Sequence, residues 1–153
     1  MARLHHQSDF DFSAPSMPIR TRPMARGELQ YLAEHAALNL RFEGELSSLH
    51  VVHYVRKGFD AIAQYHINQW IVDLRSCDGF PDSGRFWALL QLLQHRNLRA
   101  VLGSLDKVIV VREPAKHRAI DDVLGPIFYR LTKTQIEERP NHPHEGISGS
   151  LIL

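Results

Sequence analysis

Between residues 38 and 46 apolar and polar positions alternate: Leu38, Leu40, Phe42, Gly44 and Leu46 are separated by Asn39, Arg41, Glu43 and Glu45. A period of two puts each set on its own face of an extended chain, which predicts a half-buried strand of the antiparallel type. Leu29, Tyr31 and Ala33 repeat the pattern more weakly and predict a partner strand, with the hairpin turn around Glu34 to Ala37. Ser47 or Ser48 then offers a capping hydroxyl to a helix in which Val52, Val55, Phe59 and Ile62 recur at helical spacing. Trp70-Ile71-Val72 reads as a short buried strand ending at Asp73-Leu74, and Arg75 to Pro81 as a loop.

Phe86, Leu89, Leu90 and Leu93 sit at i, i+3, i+4 and i+7. That spacing predicts a second helix with this stripe toward the core and Asp82 or Ser83 as its cap. Val108 to Val111 is an unbroken β-branched run, the mark of a strand covered on both faces. Pro114 in a first turn opens a third helix with Ala119, Ile120, Val123 and Leu124 inward, which Gly125-Pro126 stops. Ile127, Tyr129 and Leu131 alternate as an edge strand. The predicted order is β-β-α-β-α-β-α-β, an α/β fold with a mixed, mostly parallel sheet and flanking helices. Residues 1–27 form an N-terminal arm, 28–137 the domain, and 138–153 a C-terminal tail.

Composition narrows the function. The chain has 153 residues, enough for one self-sufficient core. Eighteen Lys and Arg against seventeen Asp and Glu argue against nucleic acid, because phosphate binding needs a concentrated basic face. The single Cys77 excludes an intramolecular disulfide and fits a reducing compartment. No apolar run reaches the roughly 18 residues of a membrane span, and MARLHHQSDFDF lacks the apolar core of a secretory signal. A cytoplasmic location is expected. Ten His add charge on mild acidification, but their scatter along the chain argues against one dedicated pH switch.

Three stretches, LNLRFEGELS, WIVDLRSCDGFPDSGRFWALLQLL and DKVIVVREPAKHRAIDDVLGP, resemble the STAS superfamily, and within it the bacterial proteins similar to the sporulation anti-sigma-factor antagonist. The resemblance covers about Leu29 to Leu131. It implies a regulatory module without catalysis or cofactor that docks on a regulatory protein partner. It also implies a phosphorylatable Ser just before the turn glycine, which is Ser83 here, between Asp82 and Gly84. The second Ser of that turn is absent, and Arg85-Phe86-Trp87 stands where the family has small apolar residues.

The candidate site residues carry two readings each. Ser83 at a helix N-terminus is either a cap or a phosphate acceptor, since the free amides and the helix dipole stabilise added negative charge. Asp73 ends a strand, where α/β sheets place ligand crevices. With Asp78 and Asp82 it forms either an acidic cation cluster or ordinary loop hydrogen bonds. Trp87, with Phe86 and Arg85, is either core or the aromatic-plus-Arg cluster common at interface hot spots. The docking surface is therefore expected around residues 75–90, through Asp73, Asp82, Gly84, Arg85 and Trp87. Cys77 needs a nearby base such as His95 or His53 to be a nucleophile. His50 and His53 share the polar side of the first helix and read as a solvated flank. Asn141-His142-Pro143-His144-Glu145 reads as flexible, without the four organised ligands of a zinc site. An arm bearing Phe10 and Phe12 offers anchors for self-association. The competing reading is a small-molecule or lipid binder, or an enzyme, with a pocket at the strand C-terminal ends.

Overall fold

A computed structural model describes residues 25–80, 83–113, 116, 118–128, 135–144 and 151–153. The N-terminal arm proposed for self-association, apart from 25–27, falls outside them. The strands are β1 (Arg26–Leu32), β2 (Ala37–Glu45), β3 (Gln69–Gly79), β4 (Lys107–Val111), β5 (Gln135–Arg139) and β6 (Leu151–Ile152). The helices are α1 (Ser48–Tyr65), α2 (Arg85–Leu93), α3 (Leu98–Ser104) and α4 (Asp121–Phe128), with short 3-10 turns at Ala33–His35 and Arg118–Ile120. These strands form one sheet in the order β5-β4-β3-β2-β1-β6. β2 to β5 run parallel, while β1 is antiparallel to both its neighbours. The fold is thus a mixed, mostly parallel α/β sheet with flanking helices.

Alternation along the central strands assigns their faces. Leu38, Leu40 and Phe42 of β2, Trp70, Val72 and Leu74 of β3, and Val108 and Val110 of β4 join the main core with the helices. Ile71, Ile109 and Val111 turn the other way and form a second cluster with Leu32 and Ala37. The helix α1 covers the first face with Val52, Val55, Phe59 and Ile62, the residues its periodicity selects. Its start is a reciprocal cap. Ser47 Oγ accepts the His50 amide N–H, and His50 Nδ1 accepts the Ser47 N–H, each at 3.2 Å. The hairpin between β1 and β2 closes through Ala36, whose left-handed backbone (φ 46°) turns the chain.

Several expectations are corrected. β3 does not end at Leu74: Arg75 to Gly79 continue it, because Ser76, Cys77 and Gly79 pair with Glu43, Gly44 and Glu45 of β2 across a bulge. The stripe of α2 is rotated from the expected one. Ala88 and Leu92 are buried, Leu89 and Leu93 only partly, while Phe86 and Leu90 face outward. Helix α3 was not expected; it buries Leu98 and Val101 and ties Ser104 Oγ to the Ile67 carbonyl at 2.6 Å. Gly125-Pro126 does not stop α4, which runs on to Phe128. Pro126 lacks the N–H for that turn, yet burial of Val123, Leu124 and Ile127 holds it. Ile127 is therefore helical rather than part of an edge strand, and Tyr129 and Leu131, like Pro114, lie outside the described residues.

The edge strand is instead β5, which spans the expected boundary at residues 137–138. Its one apolar residue, Ile136, is half exposed, and its backbone pairing with β4 is reinforced by ion pairs. Lys107 and Arg139 both close on Glu137, and the buried Arg112 guanidinium is clamped between Asp121 and Glu138. Hydrogen bonds from Arg139, then Lys107, hold the Glu137 carboxyl down to about 2. The expected tail also returns to the sheet, where Leu151 and Ile152 pair with Tyr31 and Gln30.

Replacing Ser47→Ala removes the acceptor for the His50 amide and is expected to lower unfolding free energy by about 1 kcal/mol. Urea titration checks this: the midpoint falls at unchanged slope, whereas an unmoved midpoint would mean that the cap contributes nothing.

Candidate functional site

The turn between β3 and α2 is built against the start of α1. Ser48 is buried in the first turn of α1, and its Oγ donates to the Ser83 carbonyl at 2.9 Å. This ties the turn to a fixed helix end. Gly84 follows with φ 80°, a left-handed conformation that costs L residues energy. A Cβ there would also stand 2.9 Å from Ser48 Oγ and 3.2 Å from Ser48 Cβ. Both facts demand glycine. Gly84 is the N-cap residue of α2, and no side chain caps the helix there. Ser83 is exposed, one residue before that cap, and so is not the cap itself. Asp82 lies outside the described residues.

Beyond the turn, Arg85 leans on its own surroundings. Its guanidinium pairs with Asp122 at the start of α4 and lies 5.9 Å from the Phe80 ring centroid. The adjacent residues are bare. Phe86 is 74% exposed, Trp87 43% and Leu90 39%. Neighbouring turns of one helix therefore present two aromatic rings and a leucine to solvent, beside the Ser83–Gly84 turn. The inner side of α2 is occupied by its packing on α1, where Arg56 donates to Gln91 Oε1 at 2.7 Å.

Asp73 does not join this surface. It alternates onto the face opposite the helices with Ile71, and there it accepts from the Arg75 backbone, Nε and Nη2 at 2.9–3.1 Å. Burial pushes its carboxyl up, but the Arg75 hydrogen bonds and charge outweigh burial and hold it below the ordinary carboxylate range. Asp78 is about 16 Å farther along the strand by residue rise, so the expected acidic cluster does not form. Among the described residues no three His, Cys, Asp or Glu are arranged to hold a metal.

Neither histidine expected as a base for Cys77 is hydrogen-bonded to it. Cys77 is buried, its thiol is pushed up by burial, and its Sγ lies 3.7 Å from the Gly79 carbonyl. His95 is engaged elsewhere: Nδ1 accepts the Asn97 N–H at 3.1 Å and Nε2 faces Asp60 at 3.3 Å. His53 packs edge-on against Tyr54. A shallow groove of about 180 Å³ lies beside the second half of α1, between Lys57, Asp60, Tyr65 and the β1 residue Leu29. It sits toward the N-terminal ends of the parallel strands. Among the described residues no helix is long and apolar enough to cross a membrane.

No family model and no curated protein matches the chain. Among solved structures, the Bacillus cell fate determinant SpoIIAA in its phosphorylated form is similar at 18% identity and a TM-score of 0.42, over 73% of this chain and 90% of that one.

Gly84→Ala is expected to destabilise the protein by about 1–3 kcal/mol, through left-handed strain and contact with Ser48. Thermal unfolding of this variant beside Gly79→Ala, where an added Cβ meets nothing within 4 Å, checks the cause. Equal losses in the two would contradict it.

Proposed function

We propose that this chain is a non-enzymatic regulatory module of STAS type that docks on a protein partner through the outer face of α2. The observation that carries this reading is the exposure of Phe86, Trp87 and Leu90 on one helix otherwise packed into the core. Exposed aromatics clustered with Arg are what interface hot spots are made of, and a helix anchored by the Ser48–Ser83 contact holds them without added ordering cost. Arg85 and Gly84 contribute by position: Arg85 flanks the rings, and Gly84 sets the angle at which the helix leaves the turn. Asp73 faces the opposite side of the sheet and has no part in the contact. The quoted sequence stretches that resemble the STAS superfamily support the same kind of activity.

Ser83 gives that surface its regulation. A phosphate on its hydroxyl would add about −1.5 to −2 charges beside the apolar rings, where desolvating it on docking is costly. The phosphorylated form therefore releases the partner.

The test is side-by-side capture, from the native cell, of the tagged full chain and a Phe86→Ser/Trp87→Ser variant, followed by affinity measurement with the purified partner. The expected result is a partner held by the wild type and weakened at least about 30-fold in the variant, the equivalent of one 2 kcal/mol hot spot. Unchanged unfolding of the free variant must accompany it. Full retention of the partner by the variant would refute the docking face. Ser83→Asp is expected to weaken the same complex, and an unaltered affinity would refute the switch.

A further inference from the structure

Histidines from two segments far apart in the chain meet on the sheet face opposite the helices. His35 comes from the 3-10 turn between β1 and β2; His142 and His144 come from the segment leaving β5. The His35 and His144 rings stack with centroids 4.0 Å apart and planes 12° from parallel, and His142 stands edge-on to His144 at 6.5 Å. Residues 140–144 thus run from the β5 edge of the sheet to the β1–β2 turn. Their contacts at Asn39, Gln69 and His35 border the cluster of Leu32, Ala37, Ile71, Ile109 and Val111.

The hydrogen bonds specify an uncharged His142 ring. His142 Nδ1 accepts the His144 backbone N–H at 3.0 Å, so its ring proton sits on Nε2 and is donated to Asn39 Oδ1 at 3.0 Å. Asn39 Nδ2 points to Gln30 Oε1 at 3.5 Å, which leaves Oδ1 free to accept. His144 Nε2 faces Gln69 Oε1 at 3.5 Å and is likewise the protonated nitrogen. A second proton on His142 must occupy Nδ1 and expel the His144 amide. A second proton on His144 puts a cation against the His35 ring.

Among the described residues, the charges near this cluster are engaged with one another. Arg139 of β5 and Lys107 of β4 are closed on Glu137, Arg41 of β2 on Glu43, and Asp73, whose charge is felt by His142, on Arg75 of β3. Glu34, next to His35 in the 3-10 turn, is exposed to solvent.

We propose that residues 140–144 are an acid-released strap, latched across this face by the contacts of His35, His142 and His144 and freed when His142 and His144 take up protons. The linkage has a definite sign. Burial, then His35, His142 and Arg139, lower the His144 pKa below its ordinary value. The released strap therefore binds more protons than the latched one below about pH 6.5. Latching is full above that pH and is lost as pH falls through the lowered value.

Hydrogen exchange of the full chain at about pH 7.5 and about pH 5.5, corrected for intrinsic rates, reads this directly. Pro140 and Pro143 carry no N–H, so the probe is the His144 amide held by His142 Nδ1: its protection is expected to fall about tenfold per pH unit below 6.5 for each proton taken up, with β3 amides unmoved as the internal control. His144→Phe and His35→Phe keep a ring for stacking but cannot be charged, so each is expected to shrink the response. Ring titration of wild-type His144 by NMR, independent of any variant's folding, should show a midpoint below 6.5. Protection independent of pH, an undiminished response in both Phe variants, or an ordinary His144 midpoint would each overturn the proposal.

Discussion

The structure depends on two central strands that are apolar on both faces. Trp70, Val72 and Leu74 point one way from β3 and Ile71 the other; Val108 and Val110 are opposed by Ile109 and Val111 on β4. Each such side chain contributes about 1.5–3 kcal/mol when fully buried, so neither face can be left to water. The four helices cover the first face. The second is bordered by the β1–β2 turn and by the segment that follows β5. Most of the arrangement, including where the chain must return after its last parallel strand, answers that double requirement.

The same requirement explains why α2 has apolar residues left over. Its contribution to the core is Ala88 and Leu92, with Leu89 and Leu93 at the margin, and the small Ala88 lets the helix lie close to its neighbours. Phe86, Trp87 and Leu90 are then surplus to folding, which is what directs attention to them as a contact surface. The Ser48–Ser83 hydrogen bond and the left-handed Gly84 fix where that surface begins. The proposed docking face and the proposed strap lie on opposite faces of one sheet.

How much of this was legible in the sequence follows from the physics of each segment. Residues 38–46, the α1 stripe and Val108 to Val111 were readable because side-chain burial alone organises them. The phase of α2 was not: RFWALLQLL is apolar at almost every position, so several stripes fit and only packing on α1 and α4 decides among them. The extension of β3 through Arg75–Gly79 is carried by backbone pairing across a bulge rather than by an apolar pattern. β5, with the sequence QIEER, is held by backbone pairing with β4 and by Lys107 and Arg112 rather than by burial. Within the candidate site, Ser83 and Gly84 were legible from the turn motif and Trp87 from its chemistry. The seclusion of Asp73 with Arg75 needed the strand's facing. The scatter of histidines along the chain gave no sign that His35 and His144 meet, since they are stacked although 109 residues apart.

Native-state hydrogen exchange at neutral pH tests the double burial of β3 and β4 most directly. Amides of residues 70–74 and 108–111 should exchange only through global unfolding, sharing one free energy equal to that from denaturant titration. Exchange of the β4 amides through a separate, lower-energy opening would show that the second face is not closed in solution, and would contradict the account.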